Sequence, residues 1–160
     1  MRRKGTKEEK LIGVISDTHG LVRPQAMEAL AGVDMILHAG DVGDAAVLDA
    51  LREIAPVVAV RGNNDRGEWA ESLPHWEVVE IGAVSIYMLH DLKEIDISPA
   101  GAFQVVISGH SHKAIVEERR GVLYVNPGSA GPRRFNLPIS LAHLKVEGTA
   151  INAKLIELSV

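Results

Sequence analysis

The stretch LIGVISDTHGLVRPQAMEALAGVDMILHAGD, residues 11–41, decides the fold class. It contains an apolar run over 11–16, a helical pattern over 24–31 and a second apolar run over 35–39. Pro24 suits the first turn of the helix, where its missing N–H group would have no partner in any case. The nearly continuous apolar runs are typical of strands covered on both faces, so the stretch predicts a β-α-β unit of a parallel sheet.

The rest of the chain extends this pattern and then changes it. A second helix is predicted over 45–54 with Asp44 as its N-cap, and a third parallel strand over 57–60. Strand pairs joined by short turns follow, at 76–81 with 84–89, at 114–117 with 123–125, and at 140–146 with 150–158. The predicted fold class is therefore α/β, a four-layer αββα sandwich of two mixed β-sheets flanked by helices.

Length and composition predict a single domain. The chain has 160 residues, 46% of them hydrophobic, which is enough to bury one substantial core. Residues 1–10 are charged and lack an apolar period, so we expect a disordered tail over 1–10 and one domain over 11–160.

Composition also excludes several classes of function. The chain contains no cysteine, so disulfides, thiolate metal ligands and cysteine nucleophiles are excluded. A net charge of -4 gives no electrostatic footprint for a stable nucleic-acid complex. No apolar stretch is long enough to cross a membrane and the N-terminus does not resemble a secretory signal, so we expect a cytoplasmic protein.

Polar residues that can bind metal follow five of the predicted strands. They are Asp17 and His19, Gly40-Asp41, Gly62-Asn63-Asn64-Asp65, His90, and Gly109-His110-Ser111-His112. Ligands of α/β sheets bind at the carboxyl ends of strands, which is where these residues fall. In an extended chain, residues two apart point to the same side, so Asp17 with His19, and His110 with His112, are each expected to address one centre.

Glycines precede three of these groups, at positions 40, 62 and 109. There the chain must turn sharply on leaving a strand and let its backbone approach an ion.

In this order the residues resemble the signature of the calcineurin-like metallophosphoesterases, especially their small bacterial and archaeal phosphodiesterase branch. The resemblance covers residues 11–158 and includes the loop 126–129, Asn-Pro-Gly-Ser. It implies two mixed sheets between helices with a binuclear metal site at one edge. One ion would take Asp17, His19, Asp41 and His112, and the other Asp41, Asn63, His90 and His110, with Asp41 bridging.

The resemblance further implies a phosphodiesterase in which a metal-bridging hydroxide attacks the phosphate ester. Asp41, Asn64 and Asp65 are then the expected catalytic residues, with Asp65 orienting a neighbouring group. Ligands of oxygen and imidazole without sulfur favour two divalent ions of manganese, nickel, iron or zinc, with manganese our first expectation.

Asn64 departs from the family pattern, because many members carry histidine and some small members cysteine at this position. An amide can hydrogen-bond a phosphate but cannot act as a general acid. We therefore expect a small phosphodiester substrate with an acidic leaving group.

Two other functions stay open, a non-catalytic scaffold with this fold and a phosphomonoesterase. Self-association into a homo-oligomer, frequent in small family members, also stays open. His38 could contact a metal ligand or pack in the core, and Arg133-Arg134 could bind a phosphate or face solvent. Trp69 and Trp76 could stack on a substrate ring or pack in a core or interface.

Overall fold

The computed structural model describes residues 8–160, which form two facing five-stranded sheets. The strands are β1 (Glu9–Ile15), β2 (Met35–His38), β3 (Val57–Ala59), β4 (Trp76–Ile81), β5 (Val84–Leu89), β6 (Val105–Ile107), β7 (Ile115–Arg119), β8 (Val122–Asn126), β9 (Ser140–Glu147) and β10 (Ala150–Glu157). The helices are α1 (Pro24–Leu30), α2 (Ala45–Arg52) and α3 (Glu68–Glu71), and a single 3-10 turn spans Leu92–Glu94.

Both sheets are mixed, which confirms the predicted fold class. The first sheet has the order β10-β9-β1-β2-β3, with β1, β2 and β3 parallel and the β9–β10 hairpin antiparallel to β1. The second has the order β4-β5-β6-β8-β7, with β5, β6 and β8 parallel between two antiparallel edge strands. Each parallel set ends in loops at one edge of the sandwich, and these loops carry the polar motifs.

The main core lies between the sheets, and side chains along each strand point alternately into this core and away from it. Ile12 and Val14 of β1 face Ile86 and Met88 of β5, all essentially inaccessible to solvent. The outer face of the first sheet is covered by α1 and α2, whose buried residues include Leu30, Leu48 and Leu51. This alternation of inward and outward side chains produces the helix-covered layer that the apolar runs predicted.

The outer face of the second sheet is covered more thinly than the prediction of flanking helices suggests. Tyr87, Leu89 and Val106 pack there against Phe103 and the 3-10 turn. Pro99 and Gly101 lie in the connection to β6, and both residue types disfavour continuing a helix. The fourth layer is therefore a turn and a loop.

Most predicted boundaries agree with the structure, and the start of β1 needs correction. The strand begins at Glu9, and Glu9 and Lys10 pair with Glu147 and Val146 of β9. The end of the predicted tail is thus part of the sheet, while residues 1–7 lie outside the described residues. Asp44 caps α2 as predicted, its Oδ1 accepting a hydrogen bond from the Ala46 N–H at 2.9 Å.

Across residues 8–160, no helix is long and apolar enough to cross a membrane.

Candidate metal centre

The polar residues that follow β1, β2, β5 and β6 converge on one place at the edge of the sandwich. Two groups of side chains each bring their ligand atoms within 4.8 Å of one another, Asp17 with His19 and His112, and Asp17 with Asp41 and His90. The structure thereby brings together five of the seven predicted metal ligands. The other two, Asn63 and His110, lie beside the second group.

Asp17 is the most buried member of the centre. Its Oδ2 accepts hydrogen bonds from the Ser16 hydroxyl at 2.6 Å and from the His110 N–H at 3.1 Å. Its Oδ1 lies 3.3 Å from His112 Nε2 and 3.8 Å from His19 Nε2. Burial opposes ionisation of this carboxyl, but the contacts with His112 and Ser16 outweigh it, so the pKa of Asp17 lies below its usual range.

Asp41 belongs to the second group and also approaches His19 of the first. Its Oδ2 is 3.4 Å from His90 Nε2 and 3.7 Å from His19 Nε2. Asn64 holds the carboxylate from the other side, donating from its backbone N–H to Oδ1 at 2.8 Å and from its side-chain amide to Oδ2 at 2.9 Å. Burial raises the pKa of Asp41, but these contacts overcome it and bring that pKa below its usual range.

His90 is oriented so that one ring nitrogen faces the carboxylates. Its Nδ1 lies 2.7 Å from the Ala39 carbonyl oxygen, and because a carbonyl can only accept, Nδ1 carries the proton. In the neutral ring the Nε2 lone pair therefore points towards Asp41 and Asp17. Burial lowers the pKa of His90, but the two carboxylates outweigh burial and raise it, which shows that their field favours a cation here.

Asn63 and His110 form the exposed mouth of the centre. His110 Nδ1 lies 3.2 Å from Asn63 Oδ1, and the His110 ring centroid lies 5.2 Å from that of His90. On its other side, His110 Nε2 is 3.7 Å from Asp91 Oδ2. Sequence reasoning missed Asp91, whose only signal was its place directly after His90.

Backbone conformation, rather than strand alternation, aims the ligands. Positive φ angles occur at Asp17 (56°), His19 (46°), Asp41 (55°), His110 (69°) and His112 (63°). Asp17 and His19 do share one ligand group, as expected, but extended chain is not the reason, and the expectation that His110 and His112 address one group is wrong. With these left-handed φ angles, the His112 side chain lies in the group of Asp17, while His110 lies beside His90 and Asn63.

The three motif glycines are required by close packing among the ligand residues. A Cβ atom at Gly40 would collide with the His90 ring, one at Gly62 with Asp41, and one at Gly109 with Ser16 and Asp17. From the sequence, we expected these glycines to let the backbone approach an ion. In the structure they admit the residues that would hold it.

Asp65 positions the loops and does not itself reach the ligand groups. Its carboxylate accepts three backbone hydrogen bonds, from Gly62 at 2.8 Å, Gly43 at 2.9 Å and Val42 at 3.2 Å. It therefore fastens the loop after β3 to the loop after β2. Its predicted orienting role is therefore exerted on backbone N–H groups of these loops.

His38 links two of the ligand loops from inside the sheet. Its Nδ1 accepts from the Gly40 N–H at 3.1 Å, so its Nε2–H donates to the Thr18 hydroxyl at 3.0 Å. Burial lowers the pKa of His38 to about 4, which keeps the ring neutral. The His38 ring is thus buried and hydrogen-bonds Thr18 and Gly40, which neighbour the predicted ligands, rather than a metal ligand itself.

The Asn-Pro-Gly-Ser loop supports the centre as well. Asn126 donates from its side chain to the Gly109 carbonyl oxygen at 2.9 Å and to the Ser111 hydroxyl at 3.1 Å. Ser129 donates from its hydroxyl to the Asp17 carbonyl oxygen at 3.1 Å. Further along, the exposed Arg133 donates to the Leu137 carbonyl oxygen at 3.1 Å.

The donor set fits divalent metal ions. Within residues 8–160, the buried atoms Asp17 Oδ1, His19 Nε2, His90 Nε2 and His112 Nδ1 have no hydrogen-bond partner. Leaving such atoms unpaired is costly, and carboxylate with imidazole suits manganese, iron, nickel or zinc. The centre therefore has the chemistry of a metal-binding site.

Comparison with known proteins identifies the family. Residues 11–149 match the calcineurin-like phosphoesterase superfamily domain, and the chain belongs to this family. "Probable metallophosphoesterase MJ0623" of Methanocaldococcus jannaschii is 38% identical, over 92% of this chain and 81% of the relative. "Phosphodiesterase MJ0936" of the same organism is 29% identical, over 73% of this chain and 82% of the relative.

Solved structures support the same fold. A novel archaeal phosphodiesterase superposes with a TM-score of 0.75 at 25% identity, covering 91% of this chain and 99% of its own. Vacuolar protein sorting 29 from Cryptosporidium parvum gives the same TM-score at 22% identity, covering 95% and 99%. The family supports metal-dependent hydrolysis of phosphate esters as the reaction class of this chain.

Proposed function

We propose that the chain is a binuclear metal-dependent phosphodiesterase that acts on small phosphate diesters in the cytoplasm. The observation that carries this proposal is the position of Asp41 Oδ2, 3.7 Å from His19 Nε2 and 3.4 Å from His90 Nε2. A carboxylate between two imidazole groups suits a bridging ligand. The similarity to a phosphodiesterase of Methanocaldococcus jannaschii supports the choice of diesters.

The proposed ligand sets are those implied by the family resemblance, and the two groups of side chains, which share Asp17, support them in part. Asp17, His19, Asp41 and His112 would hold one ion, and Asp41, Asn63, His90 and His110 the other. When bound, two divalent ions would lower the pKa of a water molecule and offset charge on the phosphoryl oxygens. Manganese is the ion that we propose first.

The protein contributes ionised carboxylates and oriented imidazoles before any ion arrives. The lowered pKa of Asp17 and of Asp41 keeps both negative at neutral pH. The Ala39 carbonyl fixes the His90 tautomer, so that Nε2 is free to ligate. No side-chain nucleophile is needed in this scheme.

The test is hydrolysis of bis(4-nitrophenyl) phosphate by metal-stripped protein after separate additions of manganese, nickel, zinc and magnesium. We expect metal-restored turnover that is lost in Asp41→Asn and in His110→Ala. His143→Ala is the matched control, because His143 contacts the Ala29 carbonyl oxygen, remote from the ligand groups. Tight binding of two metal ions without turnover would contradict the enzyme and favour the scaffold alternative.

A preference for acidic leaving groups is the second expected outcome. Asn64 donates both of its hydrogen bonds to Asp41, and an amide has no proton of suitable acidity for a departing alkoxide. The rate should therefore fall steeply as leaving-group pKa rises in a series of aryl and alkyl methyl phosphates. Asn64→His should flatten this dependence, and equal turnover of alkyl and aryl esters by the wild type would contradict the idea.

A further inference from the structure

A cavity of about 290 Å³ opens directly beside the metal centre. Asn63 and His90 line it from the centre, and Trp76 and Tyr87 line it from the second sheet. Its volume lies just below the roughly 300–1,000 Å³ typical of small-molecule pockets, so it suits one ester group and not a duplex.

An aromatic stack forms the apolar wall of this cavity. The Trp76 and Tyr87 rings are stacked, with centroids 5.7 Å apart and planes 15° apart, and Tyr87 contacts Phe103 edge to face at 5.3 Å. Tyr87 is buried, whereas Trp76 is 56% exposed. The indole is therefore supported from one side by a fixed ring while much of its surface is open.

The backbone fixes this wall relative to the metal ligands. Trp76 pairs with Leu89 across β4 and β5, and Leu89 directly precedes His90. The Arg61 N–H donates to the Pro74 carbonyl oxygen at 2.7 Å, which ties the loop carrying Asn63 to the start of β4. A group resting on Trp76 would thus be held at a set distance from a phosphate at the centre.

Among the carboxylate, arginine and lysine side chains that line the cavity, the carboxylates predominate. Asp91, Glu94 and Asp96 line the cavity, with Arg61 as the only arginine or lysine among its lining residues. Burial raises the pKa of Tyr87, and the charge of Asp96 adds to this effect, so the phenol keeps its proton. Carboxylates repel additional phosphates and accept hydrogen bonds, so they favour a ring that carries N–H donors.

We propose that this cavity is a subsite for a planar, amino-bearing nucleobase, so that the substrate is a phosphodiester with one nucleoside ester group. The inference rests on the proposed function, because it assumes that the phosphate lies at the metal centre. The second ester group would face solvent beyond the cavity. Stacking on aromatic rings is general to bases, and the carboxylates add the preference for amino groups.

Binding is tested without relying on turnover. Manganese-reconstituted protein is titrated by calorimetry with adenosine 5′-monophosphate, purine riboside 5′-monophosphate and ribose 5-phosphate. We expect adenosine 5′-monophosphate to bind about ten-fold more tightly than ribose 5-phosphate, as one stacked base contributes. The purine riboside ester lacks the amino group and should fall between them, and equal affinity of all three would overturn the proposal.

Variants of Trp76 assign the effect to the cavity. Trp76→Ala should reduce the affinity for adenosine 5′-monophosphate to that for ribose 5-phosphate, while Trp76→Phe should retain most of the difference. Unchanged binding of ribose 5-phosphate in both variants shows that the metal centre is intact. An unchanged preference for the nucleotide in Trp76→Ala would overturn the assignment.

Fluorescence gives a second readout. The chain has two tryptophans, and Trp69 packs partly buried against the core beneath the helices, so Trp69→Phe isolates Trp76 emission. Adenosine 5′-monophosphate should quench this emission and ribose 5-phosphate should not. Nucleotide binding without hydrolysis of any diester would reject the proposed function alone, whereas hydrolysis without base discrimination would reject the subsite alone.

Discussion

At the scale of single residues, the centre concentrates backbone strain. Five of its residues have left-handed φ angles, a conformation that costs of order 1–3 kcal/mol for a residue other than glycine. The surrounding hydrogen bonds from Ser16, Asn64 and Asn126 hold this geometry in place. The centre is thus organised before an ion binds, and small changes around it should weaken metal binding.

Gly62→Ala tests whether this close packing supports metal binding, because it adds a single Cβ atom. The new Cβ would collide with Asp41, so we expect affinity for manganese to fall about 10–100-fold, as for other changes around metal ligands. Calorimetric titration with manganese measures this fall.

Gly82→Ala is the matched control, since its φ of 58° is strained for alanine but its surroundings are open. It should lower the free energy of unfolding by about 1–2 kcal/mol and leave metal affinity unchanged. Wild-type metal affinity in Gly62→Ala would refute the packing argument.

His38 predicts a pH dependence of stability. Its folded pKa of about 4 lies below the unfolded value of 6.5, so between these pH values the unfolded chain binds a proton that the folded chain excludes. The contribution of neutral His38 is complete above pH 6.5 and declines as pH falls towards 4, by roughly 3 kcal/mol in total.

Urea denaturation of metal-free wild type and His38→Gln at several pH values checks this. The variant keeps a donor and an acceptor but cannot titrate, so its deficit in free energy of unfolding should shrink as pH falls. A deficit that stays constant from pH 6.5 to 4 would show that His38 does not carry the effect.

At the scale of elements, each ligand loop depends on its neighbours as much as on its strand. Asp65 joins the loops after β2 and β3 through three backbone hydrogen bonds, although it does not belong to either ligand group. Its carboxylate is buried, so removing one acceptor leaves N–H groups unpaired.

Asp65→Asn should therefore lower the free energy of unfolding by about 1–3 kcal/mol and weaken manganese binding. Thermal denaturation and metal titration of the same samples measure both effects. Asp49→Asn is the control, because Asp49 is exposed on α2 and pairs only at the surface with Arg52 at 3.3 Å. That change should stay within about 0.5 kcal/mol, and an equal loss in both variants would refute the fastening role.

Prediction from sequence succeeded where short-range patterns decide the outcome. The hairpin strands Trp76–Ile81 and Val84–Leu89 agree residue for residue, because apolar alternation and Gly82 define both strands and turn. The convergence of Asp17, Asp41 and His90 followed from their places at strand ends. These features need only periodicity and the geometry of parallel sheets.

Other features depend on contacts between distant segments and could not be predicted. From the sequence, Asn64 was notable only because an amide cannot act as a general acid. Its hydrogen bond to the Asp41 carboxylate joins residues 23 positions apart, so no local pattern predicts it. The stack of Trp76 on Tyr87 depends on the register of β4 and β5. The left-handed φ angles of His110 and His112 cannot be predicted from residue type, because histidine rarely adopts them. Such facts arise only when the loops are packed together.

At the scale of the whole molecule, the proposed metal ions would join the two sheets. Asp17, His19 and Asp41 follow strands of the first sheet, whereas His90 and His112 follow strands of the second. An ion held by both sets resists separation of the sheets and stabilises the folded state by mass action.

Manganese at about 100 times its dissociation constant should add about 2.7 kcal/mol, or roughly 5–10 °C in Tm for a chain of this size. Differential scanning calorimetry with manganese and with chelator measures the shift. His90→Ala should lose most of it, while His143→Ala should lower Tm in both conditions and keep the shift. A full shift in His90→Ala would contradict the proposed ligand role of His90.

Because all the proposed metal ligands lie at one edge of the sandwich, the opposite edge can be altered without touching the metal centre. The turns at Gly82 and Gly148 adjoin those ends of β5 and β9 that lie away from the metal centre. By strand length they are about 20 Å from the ligands. Exposed turns of this kind tolerate insertions well. A peptide tag placed there would fix the protein to a sensor surface with its metal centre facing the solution.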